Sequence, residues 1–341
     1  MTPFLLPLLG DPKTGEALTL DDAGRDDDGI VVSGTLRSPA GSQYPIINGI
    51  PRFVPEGRRR RSVASFGTQW NTLDFTQFKD HWVHHTVRNT FGDLGAFRDK
   101  VIVDAGAGSG AQARWMLEAG ARHVILIDLS DSVDGVVRRN LESTAFRNYD
   151  IVQASIDEPP LRPGSIEGMI LCHNVIQHTP SVRKTAKALF GLAKPGSEFI
   201  FNCYDRFDTT WRRKAKWAVY QSVRRLHRRW PHRVRLAYAG ALACLRQIPG
   251  LGTALEASGL CLRGPISPSH EGMVDRVRRS FRATRLNTYD WFGAHEFQHH
   301  LSPEELLELV HDLQPSREKV LNLDSYRSQP RPPGCALRLI K

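Results

Sequence analysis

The stretch Val101-Ile102-Val103-Asp104-Ala105-Gly106-Ala107-Gly108-Ser109-Gly110 decides how this chain is read. Three β-branched residues run into an acid and then into glycines at every second position. The run predicts a buried strand and a tight turn, and the following AQARWMLEAGA predicts a helix. Glycine has no Cβ, so a ligand can come close to the backbone there. Asp104 narrows the choice of ligand. It stands at the mouth of the turn, where a carboxylate would oppose a pyrophosphate and favour a cation.

Outward from that stretch, residues 100 to 204 alternate strand with helix. Strands are expected at 123–130, 149–155, 168–175 and 197–204. Helices are expected at 111–119, through VVRRNLES and at 181–193, the last stopped by Lys194-Pro195-Gly196. Alternation at this spacing predicts a parallel sheet covered on both faces. KVLNLDSY and CALRLIK near the end are strand-like. The fold class is therefore α/β, a Rossmann-like sheet of about seven strands whose last pair includes an antiparallel strand.

The chain has 341 residues, 40% of them hydrophobic and 24% charged, which is ordinary for a globular protein. No apolar run has the length of a membrane span. Met1 to Gly10 is apolar but short, has no basic leader and is broken by Pro3 and Pro7, so no signal peptide is expected. Five scattered cysteines without a CxxC pair predict a reduced, cytoplasmic protein with neither a disulfide frame nor a cysteine zinc site. The net charge of +10 permits anionic partners without choosing one.

Gly106 to Ala111 formally satisfy the G-x-G-x-x-A dinucleotide fingerprint, so a nicotinamide-dependent oxidoreductase is one reading. Two features oppose it: Asp104, and the hundred residues before a motif that usually opens its domain. S-adenosylmethionine fits better, since it carries a sulfonium and an ammonium and no phosphate. Asp128, in ILIDLS some twenty residues on, stands where a carboxylate can take both ribose hydroxyls. Around these two acids the sequence resembles the class I S-adenosylmethionine-dependent methyltransferases. Asp104, Gly106, Gly108 and Gly110 match the family's first motif and Asp128 its second. The resemblance implies cofactor contacts at these residues and at Ala107, Leu129, Ser155, Ile156, His173 and, in the preceding FGTQW, Trp70. Where the family often has Gly-Asp or Ala-Asp, this chain has Ala154-Ser155, with Asp157 as a substitute acid. Glu167 opens the fourth-strand segment where Asp is commoner, and His173, Asn174, Gln177 and His178 fall at that strand's carboxyl end.

Residues 1–56 form a separate block ending in YPIINGIPRFVPEG. It resembles the small zinc-ribbon module that precedes bacterial methyltransferase domains. The positions matching the module's cysteines are Asp11, Thr14, Ser38 and Ala40, so the ribbon shape is expected without its metal. The expected organisation is this block, a helical lid or linker at 57–99, the cofactor-binding core at 100–204, a helical insertion at 205–290 and the last part of the core at 291–341. Arg58 to Arg61 is expected as an exposed linker.

The acceptor is less legible. His178, His300, Tyr289 and Asp290 are candidates for acid–base work on a small or lipid-like acceptor, methylated at O, N or C. His295 to His299 spells H-E-x-x-H but precedes the helix start Ser302-Pro303-Glu304-Glu305, so a connecting segment rather than a zinc site is expected. The segment 211–230 predicts a basic amphipathic helix with Val219, Val223, Leu226 and Trp230 on one face and arginines on the rest. It could serve as a solvated lid or touch a membrane surface. No specific nucleic-acid partner is expected, because no base-reading module is present. A catalytically silent cofactor-binding scaffold is the third reading, raised by the weakened third motif.

Overall fold

The computed structural model describes residues 1–54, 61–73, 75–204, 206, 210–261, 272–293, 295–321 and 335–341. Most of the arginine run at 58–61 lies outside them. The first 54 residues make a four-stranded antiparallel meander of β1 (Thr19–Arg25), β2 (Val31–Arg37), β3 (Gln43–Ile47) and β4 (Ile50–Pro51). Asp11 and Ser38, two of the positions expected to match cysteines, both sit buried. Burial works against the Asp11 charge. The Lys13 backbone N–H, which donates to it at 2.8 Å, and the nearby polar side chains of Ser38, Ser42 and Tyr44 outweigh burial and hold the carboxyl below its usual range.

Next come α1 (Arg61–Thr72), then α2 (Lys79–Trp82) and α3 (Arg88–Thr90) on either side of one π turn, Val83–Val87. The core follows: β5 (Val101–Ala105), α4 (Ala111–Glu118), β6 (His123–Asp128), α5 (Val136–Glu142), β7 (Tyr149–Gln153), β8 (Gly168–Cys172), α6 (Val182–Leu192) and β9 (Glu198–Cys203). Four helices of the insertion come next: α7 (Trp211–His227), α8 (His232–Leu245), α9 (Leu251–Ser258) and α10 (Met273–Trp291). The chain closes with α11 (Pro303–Val310), β10 (Arg317–Val320) and β11 (Cys335–Ile340). The start of α11 follows its sequence signal. Ser302 Oγ accepts from Glu305 N at 3.2 Å, and Glu305 accepts from Ser302 N at 2.9 Å.

The seven-stranded sheet runs in the order β10-β11-β9-β8-β5-β6-β7. Strands β5 to β9 are parallel, and β11 is antiparallel to both of its neighbours. Every residue of β5 and β6 is buried, as a strand covered on both faces requires. One apolar layer carries Val101, Val103, Ile125, Phe199 and Leu337; the other carries Ile102, Val124, Leu126, Trp115 and Met169. The strand order reverses between β5 and β8, which places the ligand crevice at the carboxyl ends of these strands.

In the insertion, apolar spacing does not decide which face of α7 turns inward. The inward face of α7 holds Tyr220, Arg224 and His227, while Val219 and Leu226 are exposed. The polar groups are drawn in by specific partners. Tyr220 donates to the carbonyl of Trp291 at 2.8 Å, and Arg224 donates to the carbonyl of His295 at 2.7 Å. Apolar periodicity alone cannot register such partners.

Candidate functional site

The glycine turn carries three left-handed residues, with φ of 94° at Gly106, 58° at Gly108 and 72° at Gly110. A side chain at Gly106 would collide with Val175, and one at Gly108 would sit 3.0 Å from the Trp70 ring. The glycines therefore let Val175 and Trp70 close down on the turn. Beneath them, Asp104 is buried and its Oδ2 has no hydrogen-bond partner. Burial, aided by the charge of Asp128, raises its pKa to about 7. Asp128 accepts from Gly108 N at 2.8 Å, from Ser130 N at 2.8 Å and from Ser130 Oγ at 2.6 Å. Burial still raises its pKa, against the pull of these donors. An orphaned buried carboxylate is costly unless a cation or donor satisfies it. The turn is thus suited to a ligand that brings positive charge and hydroxyls.

Helix α1 ties this turn to a second, mostly aromatic cluster. Gly67 packs against Asp131, where any Cβ would meet the carboxylate, and Asn71 Oδ1 accepts from Val136 N at 3.0 Å. One turn from Trp70, the Phe66 ring stacks on His295 at 4.2 Å and meets His178 edge-on at 5.2 Å. Gln69 Nε2 donates to Asp290 Oδ1 at 2.7 Å. The same helix face therefore reaches both the cofactor turn and the residues beyond it.

The cluster continues through Tyr204, Trp217, Tyr220 and Trp291, with the His300 ring 4.5 Å from Trp217. His178 Nδ1 lies 3.2 Å from the carbonyl of Phe297, so it carries the proton, and Nε2 accepts from the Tyr204 hydroxyl at 3.3 Å. Burial lowers the His178 pKa to about 3, so the ring is neutral. His295 Nε2 donates to the Asp290 carbonyl at 2.8 Å, and its buried Nδ1 has no partner. Burial raises the Asp290 pKa to about 6, against the Gln69 hydrogen bond. Two acceptors, the half-buried Asp290 carboxylate and the buried His295 Nδ1, thus sit beside the aromatic cluster.

The expected site residues divide. His178, His300 and Asp290 come together at the aromatic cluster. Tyr289, next to Asp290 on α10, does not. Consecutive helix positions point about 100° apart, and Tyr289 turns to His232 at 2.7 Å, packing with Leu73, Ala239 and Leu286. Ser155 donates to Asp157, so the two third-strand candidates bond each other. Ile156 is buried behind them, and the Leu129 carbonyl faces the Gln153 amide at 3.5 Å. His173 follows β8 directly, and burial lowers its pKa to about 4. The segment from His295 to His299 is irregular rather than helical, and His299 Nε2 bonds the Thr179 carbonyl, away from His295. Sequence reasoning missed Tyr204, Tyr220 and Asn202. Asn202 holds Asn174 through paired amide bonds of 2.7 and 2.6 Å. Tyr204 had a usable signal, its place at the carboxyl end of a core strand.

A five-stranded parallel run with a reversed final strand, and an acid at or next to the end of each of its first two strands, matches the Rossmann-like fold of class I methyltransferases. Residues 103–201 match the family described as "Methyltransferase domain". The chain is similar to the ubiquinone biosynthesis O-methyltransferase of Aromatoleum aromaticum, 31% identical over 138 residues that cover 40% of this chain and 57% of that protein. Its counterpart from Erwinia tasmaniensis is 28% identical over 131 residues, covering 38% and 50%. The chain thus spans about half the length of the curated relatives it matches. Among solved structures, a Burkholderia thailandensis 1,6-didemethyltoxoflavin-N1-methyltransferase aligns over 90% of this chain and 93% of its own, at 13% identity and a TM-score of 0.41.

Proposed function

We propose that this chain transfers the methyl group of S-adenosylmethionine to a hydroxyl oxygen of a small, aromatic or lipid-like acceptor. The observation that carries this is a half-buried carboxylate, Asp290, beside the unpartnered His295 Nδ1 in an aromatic cluster that α1 joins to the glycine turn. Aromatic side chains take a flat, apolar body, and acceptors without enough donors favour a hydroxyl over a bare carbon. The names of the curated relatives agree with transfer to oxygen.

In this reading Asp104 and the glycine backbone hold the methionine end of the cofactor, and Asp128 holds the ribose. The bound cofactor supplies an electrophilic methyl group. Methyl transfer needs in-line approach, which the aromatic cluster would impose by orienting the acceptor. Asp290 is the better base. Its pKa near 6 lies close to working pH, whereas His178 near 3 binds a proton too weakly. His178 instead fixes Tyr204 and Phe297. The first 56 residues act, in this proposal, as a metal-free ribbon that braces the cofactor edge.

The test is turnover with methyl-labelled cofactor on parallel panels of phenols, amines and carbon nucleophiles. Labelled methyl ethers are the expected product. Label on nitrogen or carbon alone would overturn the oxygen assignment. Tight cofactor binding without transfer to any panel would favour a silent scaffold.

A further inference from the structure

The excess positive charge of the chain is concentrated in one place. Residues 211–285 hold 17 Lys and Arg against 3 Asp and Glu, whereas the other 266 residues hold 29 against 33. The insertion is therefore strongly basic on a body that is slightly acidic.

The same insertion exposes large apolar side chains at the heads of two of its helices. Arg246, at the end of α8, bonds Glu256 of α9 at 2.6 Å and Ser280 of α10 at 3.1 Å, and Lys216 of α7 bonds the Glu256 carbonyl. These bonds hold the second turn of α7, the end of α8, α9 and the middle of α10 together. Trp211, at the head of α7, is 75% exposed, and Met273 and Val274, at the head of α10, are 79% and 68% exposed, with Ile248, Leu251 and Val277 also exposed. Arg212, Lys214, Arg276 and Arg278 are exposed among them. Single exposed apolar residues need no explanation, but a cluster of this size marks an interaction surface.

We propose that the insertion docks through these residues on an anionic phospholipid bilayer, with the apolar side chains entering the interface and the cations meeting lipid phosphates. The charge of the insertion complements such a surface, and Trp, Met and Val beside Arg and Lys is an interfacial composition. A nucleic-acid backbone would use the cations but leave the apolar cluster in water. No helix among the described residues is long and apolar enough to cross a membrane, so the contact is peripheral. Because α7 also carries Trp217 and Tyr220 of the aromatic cluster, docking through its first turn would bring that cluster towards the lipid phase. Its use for a lipid-like acceptor rests on the proposed function; the docking itself does not.

The experiment is co-sedimentation of the full chain with vesicles of phosphatidylcholine alone and of phosphatidylcholine with phosphatidylglycerol, at low and high salt. Binding is expected to the anionic vesicles only and to weaken with salt. The variant Trp211→Ser/Met273→Ser/Val274→Ser should lose binding by about tenfold or more, while its affinity for S-adenosylhomocysteine stays unchanged. Arg276→Glu/Arg278→Glu should weaken binding to the anionic vesicles alone. Absence of binding to either vesicle, or full binding by the triple serine variant, would overturn the proposal. So would a wild-type dimer in ultracentrifugation that the triple variant abolishes, since the cluster would then serve a second copy. Unchanged cofactor affinity separates a failure of docking from a failure of the methyltransferase reading.

Discussion

Asp104 is the residue on which the cofactor reading turns, and its chemistry gives it an opposite effect on folding and on binding. Its folded pKa near 7 lies well above the ordinary carboxylate value, so the folded state holds a proton that the unfolded chain releases. Stability contributed by the neutral carboxyl is therefore full at low pH and is lost as pH rises from about 4 through about 7. Asp104→Asn should raise Tm at pH 8 by at least about 2 °C, with the gain shrinking as pH falls towards 4. A cationic ligand needs the ionised form, so cofactor affinity of the wild type should strengthen as pH rises through about 7. In Asp104→Asn that affinity should be weaker and flat with pH. Calorimetry across pH 6 to 8 decides, and a flat wild-type profile would remove Asp104 from the site. Asp128→Ala should weaken cofactor binding about tenfold or more through loss of charge-assisted bonds to the ribose. Asp290 makes a separate prediction, since a base acts in its deprotonated form: turnover should rise as pH climbs through about 6, and Asp290→Asn should lose both the rate and that limb. Asp104 and Asp128 were legible because each stands at or next to the end of a strand whose β-branched run announces it. The Asp290 environment was not, because its partner Gln69 lies 221 positions away in the chain.

At the scale of elements, sequence signals succeeded where a local rule decided the outcome and failed where a distant partner did. Buried strands β5 and β6, the glycine turn and the Ser302 cap follow from spacing and turn chemistry within a few residues. The inward face of α7 was not legible because Tyr220 and Arg224 go inside to meet carbonyls of Trp291 and His295, which no window of α7 contains. The role of the N-terminal strands was hidden for the same reason. Arg52, just after β4, sends both guanidinium nitrogens to Asp134 at 2.9 and 2.5 Å and one to Gln153 at 3.0 Å. Gln153 ends β7, and its amide reaches the carbonyls of Leu129 and Ser130 beside Asp128. Phe53 N also donates to the Gln153 carbonyl at 2.9 Å. Arg52 thus steadies the backbone beside Asp128, which under the proposed function would hold the ribose. Arg52→Ala should weaken cofactor affinity several-fold, and Arg52→Lys should restore little of it, because lysine cannot make the two-pronged contact. If Tm falls and cofactor affinity holds, the arginine only fastens the ribbon to the core.

Across the whole molecule, apolar packing is uneven, and that sets which parts can move for ligand exchange. The sheet is sandwiched between two large buried layers, whereas α1 and the insertion share a small third cluster of Leu73, Ala239, Leu286 and Tyr289. Segments with few buried apolar contacts open at lower free energy than the core. Helix α1 covers the glycine turn through Trp70 and the aromatic cluster through Phe66, so under the proposed function it would move aside for a ligand to enter. Hydrogen exchange should accordingly show β5, β6, β8 and β9 as the slowest amides, with α1 and α7 to α10 faster. Adding S-adenosylhomocysteine should slow exchange in α1 and around residues 105–110 and 128–133, and leave α8 and α9 little changed. Under the proposed function the cofactor would satisfy Asp104 and Asp128 and press on Trp70, while α8 and α9 stand away from the glycine turn. Protection spread evenly over the insertion would mean that the two layers open as one unit, and α1 would then be a fixed wall rather than the lid.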